Sequence, residues 1–293
     1  MKKIALTFVL LLFVLQTMQA QIKMASKEDI DKFLKSKTYV VLEDNPFSVF
    51  NALVSDQLKD IWKITPFEII SYEEFEKKMG DASASFLFVS QAMFGKTKSA
   101  MFKSEGGAGD DNNYNYAILN LVLGDASKNL NKMPNICIVP VAYEEVDEDT
   151  YEFKLPALIK FMCYYVNFSK SNPGKDIQQI VKENQVELKN YELWFRQGDL
   201  APEVNTLDKI KKYYPYSVRI ASEEEIMQAI SLNNPKVAFL HKVGPEGTAG
   251  AGSACWKFIV TAKEGKPLYF DNHQISADKP DAFLAEDFLN MAK

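Results

Sequence analysis

Ser71-Tyr72-Glu73-Glu74-Phe75 recurs 151 residues later as Ser222-Glu223-Glu224-Glu225-Ile226. Each is an S-x-x-E capping box, in which a hydroxyl and a carboxylate three residues apart satisfy the orphan backbone donors at a helix start. The same offset carries Met79 onto Ile230, and Phe86-Leu87-Phe88-Val89 onto Val237-Ala238-Phe239-Leu240. The chain therefore reads as a tandem duplication, with copies at 38–91 and 192–243.

Outward from that anchor, each copy alternates apolar strands with amphipathic helices. In the first, Thr38-Tyr39-Val40-Val41-Leu42 predicts a strand. Asn45-Pro46 predicts an N-cap followed by proline at the first helical position, with Phe47, Phe50, Val54, Leu58 and Ile61 on one helical face. Strands follow at 67–70, 86–90, 116–123 and 136–142, and an apolar helix at 155–168. In the second, strands are expected at 192–196, 217–220, 237–243, 256–262 and 268–272, with helices at 203–213 and 281–292. Short helices at 26–34 and 176–188 lead into the copies.

The fold class is α/β (α+β), as two homologous β-α-β-α-β-β-β-α domains, each a mixed sheet with helices packed on it. Their expected limits are 26–170 and 175–293, parted at Ser171-Asn172-Pro173-Gly174.

Ahead of them, Lys2 and Lys3 precede an apolar run from Ile4 to Leu15, and Gln16-Thr17-Met18-Gln19-Ala20 leads to a cleavage point after Ala20. That is the pattern of a secretory signal over 1–20, the run being short for a bilayer span. The expectation is an exported chain, periplasmic or secreted, with no transmembrane helix after cleavage. No cysteine follows the run to take a lipid anchor. Formal net charge is -5, against a role as a general nucleic-acid binder. Cys137, Cys163 and Cys255 are too few for a disulfide framework. Buried thiols are the plainer reading, and a Cys137–Cys163 bridge stays open.

The order of elements, with its late hairpin turning at Glu264-Gly265-Lys266, resembles the small amino-terminal domain of TolB. It also resembles the modules of curli-secretion-type lipoproteins and auxiliary lipoproteins of envelope transporters. The matching stretches are 38–42, 67–74, 86–90 and 116–125, with their partners in the second copy. The resemblance implies an envelope protein that binds other proteins. It carries no residue motif, so no functional residue transfers.

Chemistry-bearing motifs are sparse. G-x-S-x-G, H-E-x-x-H and C-x-x-C are missing from the sequence. Gly244 to Ser253 is glycine-rich but lacks the P-loop lysine and leads into a strand. Asp110-Asp111-Asn112-Asn113 and Asp147-Glu148-Asp149 lack EF-hand spacing and read as solvated turns. His241, Asp271 and His273, each near a strand end, could form a metal set if the sheet brought them together; two ordinary histidines are the plainer reading. No cofactor is expected.

The best functional case lies in two long small-residue connections at the same place in both copies, since such loops are often functional. Their candidate interaction residues are Lys96, Lys98, Lys103, Gly106, Gly107 and Gly109 in the first (92–115), and Gly247, Thr248, Gly250, Gly252 and Ser253 in the second. The leading expectation is an exported, non-enzymatic binding or scaffold protein with an envelope protein partner. The alternatives are a metal-dependent or hydrolytic enzyme with its site in the second domain, and a small-molecule sensor using the cleft between the copies.

Overall fold

A computed structural model of the chain describes residues 25–94, 101–102, 114–144, 146–245 and 252–293. The signal-like segment 1–20 lies outside the described residues.

The first sheet is built from β1 (Lys37–Val41), β2 (Phe67–Ile70), β3 (Ala84–Phe94), β4 (Met101–Phe102), β5 (Tyr114–Leu123) and β6 (Asn135–Tyr143). Its order is β2-β1-β3-β5-β6, with β4 pairing onto β3. β1 runs parallel to both β2 and β3, while β5 and β6 add antiparallel. The helices α1 (Lys27–Phe33), α2 (Val49–Asp56), α3 (Leu58–Ile61), α4 (Tyr72–Lys78) and α5 (Leu155–Ser171) pack on it.

The second half repeats the plan. After α6 (Ile177–Asn184) come β7 (Glu192–Phe195), α7 (Leu207–Ile210), β8 (Val218–Ile220), α8 (Glu223–Ser231), β9 (Val237–Val243), β10 (Ala254–Thr261), β11 (Pro267–Gln274) and α9 (Ala285–Met291). The sheet order β8-β7-β9-β10-β11 matches the first sheet strand for strand, with β7 parallel to β8 and β9. Both expected capping boxes form. Ser71 Oγ accepts from the Glu74 N–H (3.3 Å) and Glu74 Oε2 from the Ser71 N–H (3.1 Å). Ser222 and Glu225 do the same at 3.3 and 2.9 Å.

Four expectations need correction. α2 is capped by Ser48, whose hydroxyl accepts from the Asn51 N–H, whereas Asn45 spends its side chain on the Phe47 N–H. Phe47 therefore stands before the helix and is 91% exposed, not on its apolar face. In the second copy the corresponding helix shrinks to a 3₁₀ turn at Pro202–Val204 and the single turn of α7. The last helix begins at Ala285, because Asp281 and Ala282 form a bend, Phe283 makes a parallel bridge to Leu200 and Leu284 is extended. Finally, strands run into the stretch read as a loop at 92–115: β3 continues to Phe94, β4 pairs with it and β5 starts at Tyr114.

The two sheets share a core. In the first half Phe75, Phe86 and Phe88 form a separate cluster under α4. In the second, Phe195, Leu240, Ile259, Phe283 and Phe288 form another, on the face carrying α7 and α9. Between the sheets one continuous cluster joins Leu87, Leu119, Phe161 and Met162 to Ile226, Ile230, Phe239 and Phe258. Thus α8, the counterpart of α4, is buried against the first half, while α4 itself faces solvent. Lys78 of α4 becomes Ala229 in α8, which gives the first half room to dock.

α5 is the bridge. Lys160 donates to the carbonyls of Ile230 (3.0 Å) and Ala262 (3.1 Å) and to Asn233 Oδ1 (2.7 Å), and Phe161 meets Phe258 edge-on at 6.2 Å. Cys137, Cys163 and Cys255 are free thiols, so the Cys137–Cys163 bridge left open by the sequence does not form. No helix among the described residues is long and apolar enough to cross a membrane.

Candidate functional site

In open α/β sheets the crevice outside the carboxyl ends of parallel strands, where successive crossovers diverge, is the usual place for a site. In the second sheet that point is the end of β7, from which the chain crosses to β8 on one side and later to β9 on the other. A cleft of about 710 Å³ lies there, floored by Arg196, Asp199, Lys242 and Asp281.

The floor is ionic and buried. Arg196 grips Asp199 as a fork, Nε to Oδ2 and Nη2 to Oδ1 both at 2.9 Å, and reaches Glu223 at the start of α8. Lys242 donates to Asp281 Oδ2 at 2.8 Å, with side chains only 2% and 7% exposed. Gly244 makes that approach feasible: a Cβ there would sit 2.0 Å from Asp281 Oδ1. Burial alone would raise the Asp199 carboxyl, but Lys154, Arg196 and Lys242 outweigh it and hold it low. Burial would lower Lys242, but Asp199 and Asp281 outweigh it and hold it high. Both stay charged near neutrality, which suits a fixed electrostatic floor better than proton transfer. Cys255 is buried at its edge, and burial pushes the thiol well above its ordinary range, away from nucleophilic thiolate.

Beside the floor, the two halves are clasped. The Tyr116 hydroxyl, at the start of β5, accepts from the Ala254 N–H and donates to the Ala254 carbonyl, both at 2.9 Å. Ala254 opens β10. One side chain thus ties the strand that leaves the first connection to the strand that leaves the second. His241, on β9, adds a second tie by donating Nε2–H to the Pro140 carbonyl of β6 at 2.8 Å.

Of the expected interaction residues, Gly252 and Ser253 lie at this clasp. Gly252 has φ +99 and its N–H bonds the Ile275 carbonyl; Ser253 is buried and its carbonyl accepts from the Ile275 N–H. Lys96, Lys98, Lys103, Gly106, Gly107, Gly109, Gly247, Thr248 and Gly250 lie outside the described residues. The three residues weighed as a metal set are not brought together. His241 pairs across the sheet with Phe258 and shares the face of the inter-sheet core. Asp271 pairs with Lys257, and His273 with Cys255, so both point to the opposite face. Asp271 is occupied by Lys257 at 3.1 Å, and His273 Nε2 by the Pro280 carbonyl at 2.8 Å.

The sequence reading missed Tyr116, Arg196, Asp199, Lys242 and Asp281. One signal was present. Lys242 in Val237–Val243 and Lys257 in Ala254–Thr261 are lone lysines in largely apolar strands, and such a charge needs a buried partner.

His241 gives the site a pH signature. Burial and nearby Lys154 push it down to about 3, from an ordinary 6.5. The unfolded chain thus binds a proton near pH 6.5 that the folded chain refuses until far lower. Stability is complete above pH 6.5 and is lost on acidification, at up to about 1.4 kcal/mol per pH unit. His241→Gln should flatten the dependence of Tm on pH between 7.5 and 5. An unchanged slope would mean that other groups set it.

Comparison with protein-family models, curated proteins and solved structures gives no match to this chain.

Proposed function

We propose that this protein is an exported, non-enzymatic binding protein that holds an envelope protein partner on the paired connections between β3 and β5 and between β9 and β10. The observation that carries this is the Tyr116–Ala254 clasp. In a duplicated fold the two equivalent connections could leave from opposite ends. Here the strands that follow them start side by side, joined by two hydrogen bonds, which favours a single shared surface. The signal-like 1–20 and the family resemblance supply the compartment and the class of partner. The charged floor beneath is fixed by its own pairs and acts as a rigid base for that surface.

The test is a crosslinking capture from an envelope extract with three proteins: the mature chain, a variant with 106–113 and 247–251 shortened to tight turns, and Tyr116→Phe. A partner taken by the first and lost by the second, at unchanged Tm, supports the reading. Equal capture by both removes it. Tyr116→Phe leaves the Ala254 N–H and carbonyl without their partner at a cost of about 1–3 kcal/mol. It should lower Tm by several degrees and weaken capture.

A further inference from the structure

The halves also meet along a groove of about 1240 Å³. One wall is the solvent-facing side of α8; the other is the end of α2, α3 and the turns that lead into α5. Two features set its chemistry. First, Met227 and Leu232 both line it and stand 49% and 70% exposed, so together they offer apolar surface to an occupant. Second, its charge is unbalanced. Asp60, Asp149, Glu152 and Glu224 line it, all exposed, and none has an ion-pair partner among the described residues. Its two lining cations do not balance them: Lys160 is spent on the carbonyls of Ile230 and Ala262 and on Asn233, and Lys263 lies 4.0 Å from its neighbour Glu264. An apolar strip between uncompensated carboxylates is complementary to a segment with an apolar face and basic flanks.

We infer that this groove is a second docking site, and that its occupant is a basic amphipathic segment of a partner protein. The site is distinct from the paired connections and does not depend on them. Its apolar strip supplies contact area, and its carboxylates select charge and speed encounter in a salt-dependent way.

The experiment measures fluorescence anisotropy of a short labelled peptide of leucine and lysine in amphipathic helical order, titrated with the mature protein. A control peptide carries glutamate in place of each lysine. The lysine peptide should bind in the micromolar range, weakening as salt is raised, and the glutamate peptide should not bind. The pair Asp149→Lys with Glu152→Lys should weaken binding by about tenfold, since each lost pair becomes a repulsion. Leu232→Ser should weaken it by roughly threefold or more through lost apolar contact. All three positions are at the surface, so the variants should keep the wild-type Tm. The protein with both connections shortened should bind the peptide undiminished, which separates this site from the one proposed above. Equal binding of the two peptides, or indifference to the charge reversal, would overturn the inference. So would a concentration-dependent dimer in sedimentation that Leu232→Ser abolishes, because the occupant would then be a second copy of this chain.

Discussion

Gly265→Ala should lower stability by about 3–5 kcal/mol, whereas Gly174→Ala, a change of the same kind, should cost only about 1. Both glycines have positive φ, +65 and +85, where a side chain meets its own backbone. That shared penalty is about 1 kcal/mol. Only their surroundings differ. A Cβ on Gly174 meets nothing within 4 Å, because the turn between α5 and α6 is open. A Cβ on Gly265 would stand 2.2 Å from the Phe161 amide nitrogen and 2.5 Å from the Lys160 carbonyl carbon. These are backbone atoms of α5, so no rotamer change relieves the contact. Either the β10–β11 turn or α5 must move, and α5 is the helix through which Lys160 and Phe161 join the second sheet to the first. Overpacking at such a point adds another 2 kcal/mol or more. Thermal melts of the two variants measure the difference directly. For a chain of this size about 3–5 kcal/mol corresponds to roughly 10 °C, and about 1 kcal/mol to a few degrees. Equal shifts would show that the turn does not press on α5.

How far the sequence could reach is clear from which contacts are local. The boxes at Ser71/Glu74 and Ser222/Glu225 close over three residues, so their spacing alone located two helices and revealed the duplication. Strand periodicity is likewise local, and both sheets were legible from it. Helix starts were less so where two cap candidates compete. Ser48 prevailed over Asn45 because Asn51 uses its amide to bond the Glu43 and Asn45 carbonyls, closing the loop before α2. The candidate site was the least legible. Tyr116 meets Ala254 across 138 positions, Lys242 meets Asp281 across 39, and Lys257 meets Asp287 across 30. No spacing rule links such residues. Of the residues that the glycine-rich composition singled out, Gly252 and Ser253 lie at the clasp. The tyrosine that joins β5 to β10 looked like any strand aromatic. The burial of α8 in the shared core was hidden for a similar reason: it goes with small differences between the copies, such as Lys78 against Ala229.

The lone lysine in the apolar strand β10 leads to the second large effect. Lys257 is 1% exposed and donates to Asp287, also 1% exposed, at 2.5 Å. The Asp287 carboxylate takes two more donors, the Tyr269 hydroxyl at 2.7 Å and the Leu284 N–H at 2.7 Å, the latter at the start of α9. The carboxyl-terminal segment is thereby latched to the outer face of the second sheet, with Phe283 and Phe288 packed beneath it. Asp287→Ala removes the acceptor and leaves the ammonium, a hydroxyl and an N–H without it. Lys257 keeps only Asp271, which lies toward solvent. Breaking a buried pair from one side costs about 3–5 kcal/mol, because the remaining charge is desolvated without compensation. Lys257→Met should cost a similar amount by stranding the carboxylate. The triple change Lys257→Met, Tyr269→Phe and Asp287→Leu removes charge and polar partners together, so most of the loss should return. Denaturant unfolding of the two single variants and the triple decides the matter. Single losses near the expected size with recovery in the triple would show that the pair specifies where α9 docks more than it stabilises the fold. A triple variant as unstable as either single one would mean that the ionic latch itself holds the carboxyl terminus in place.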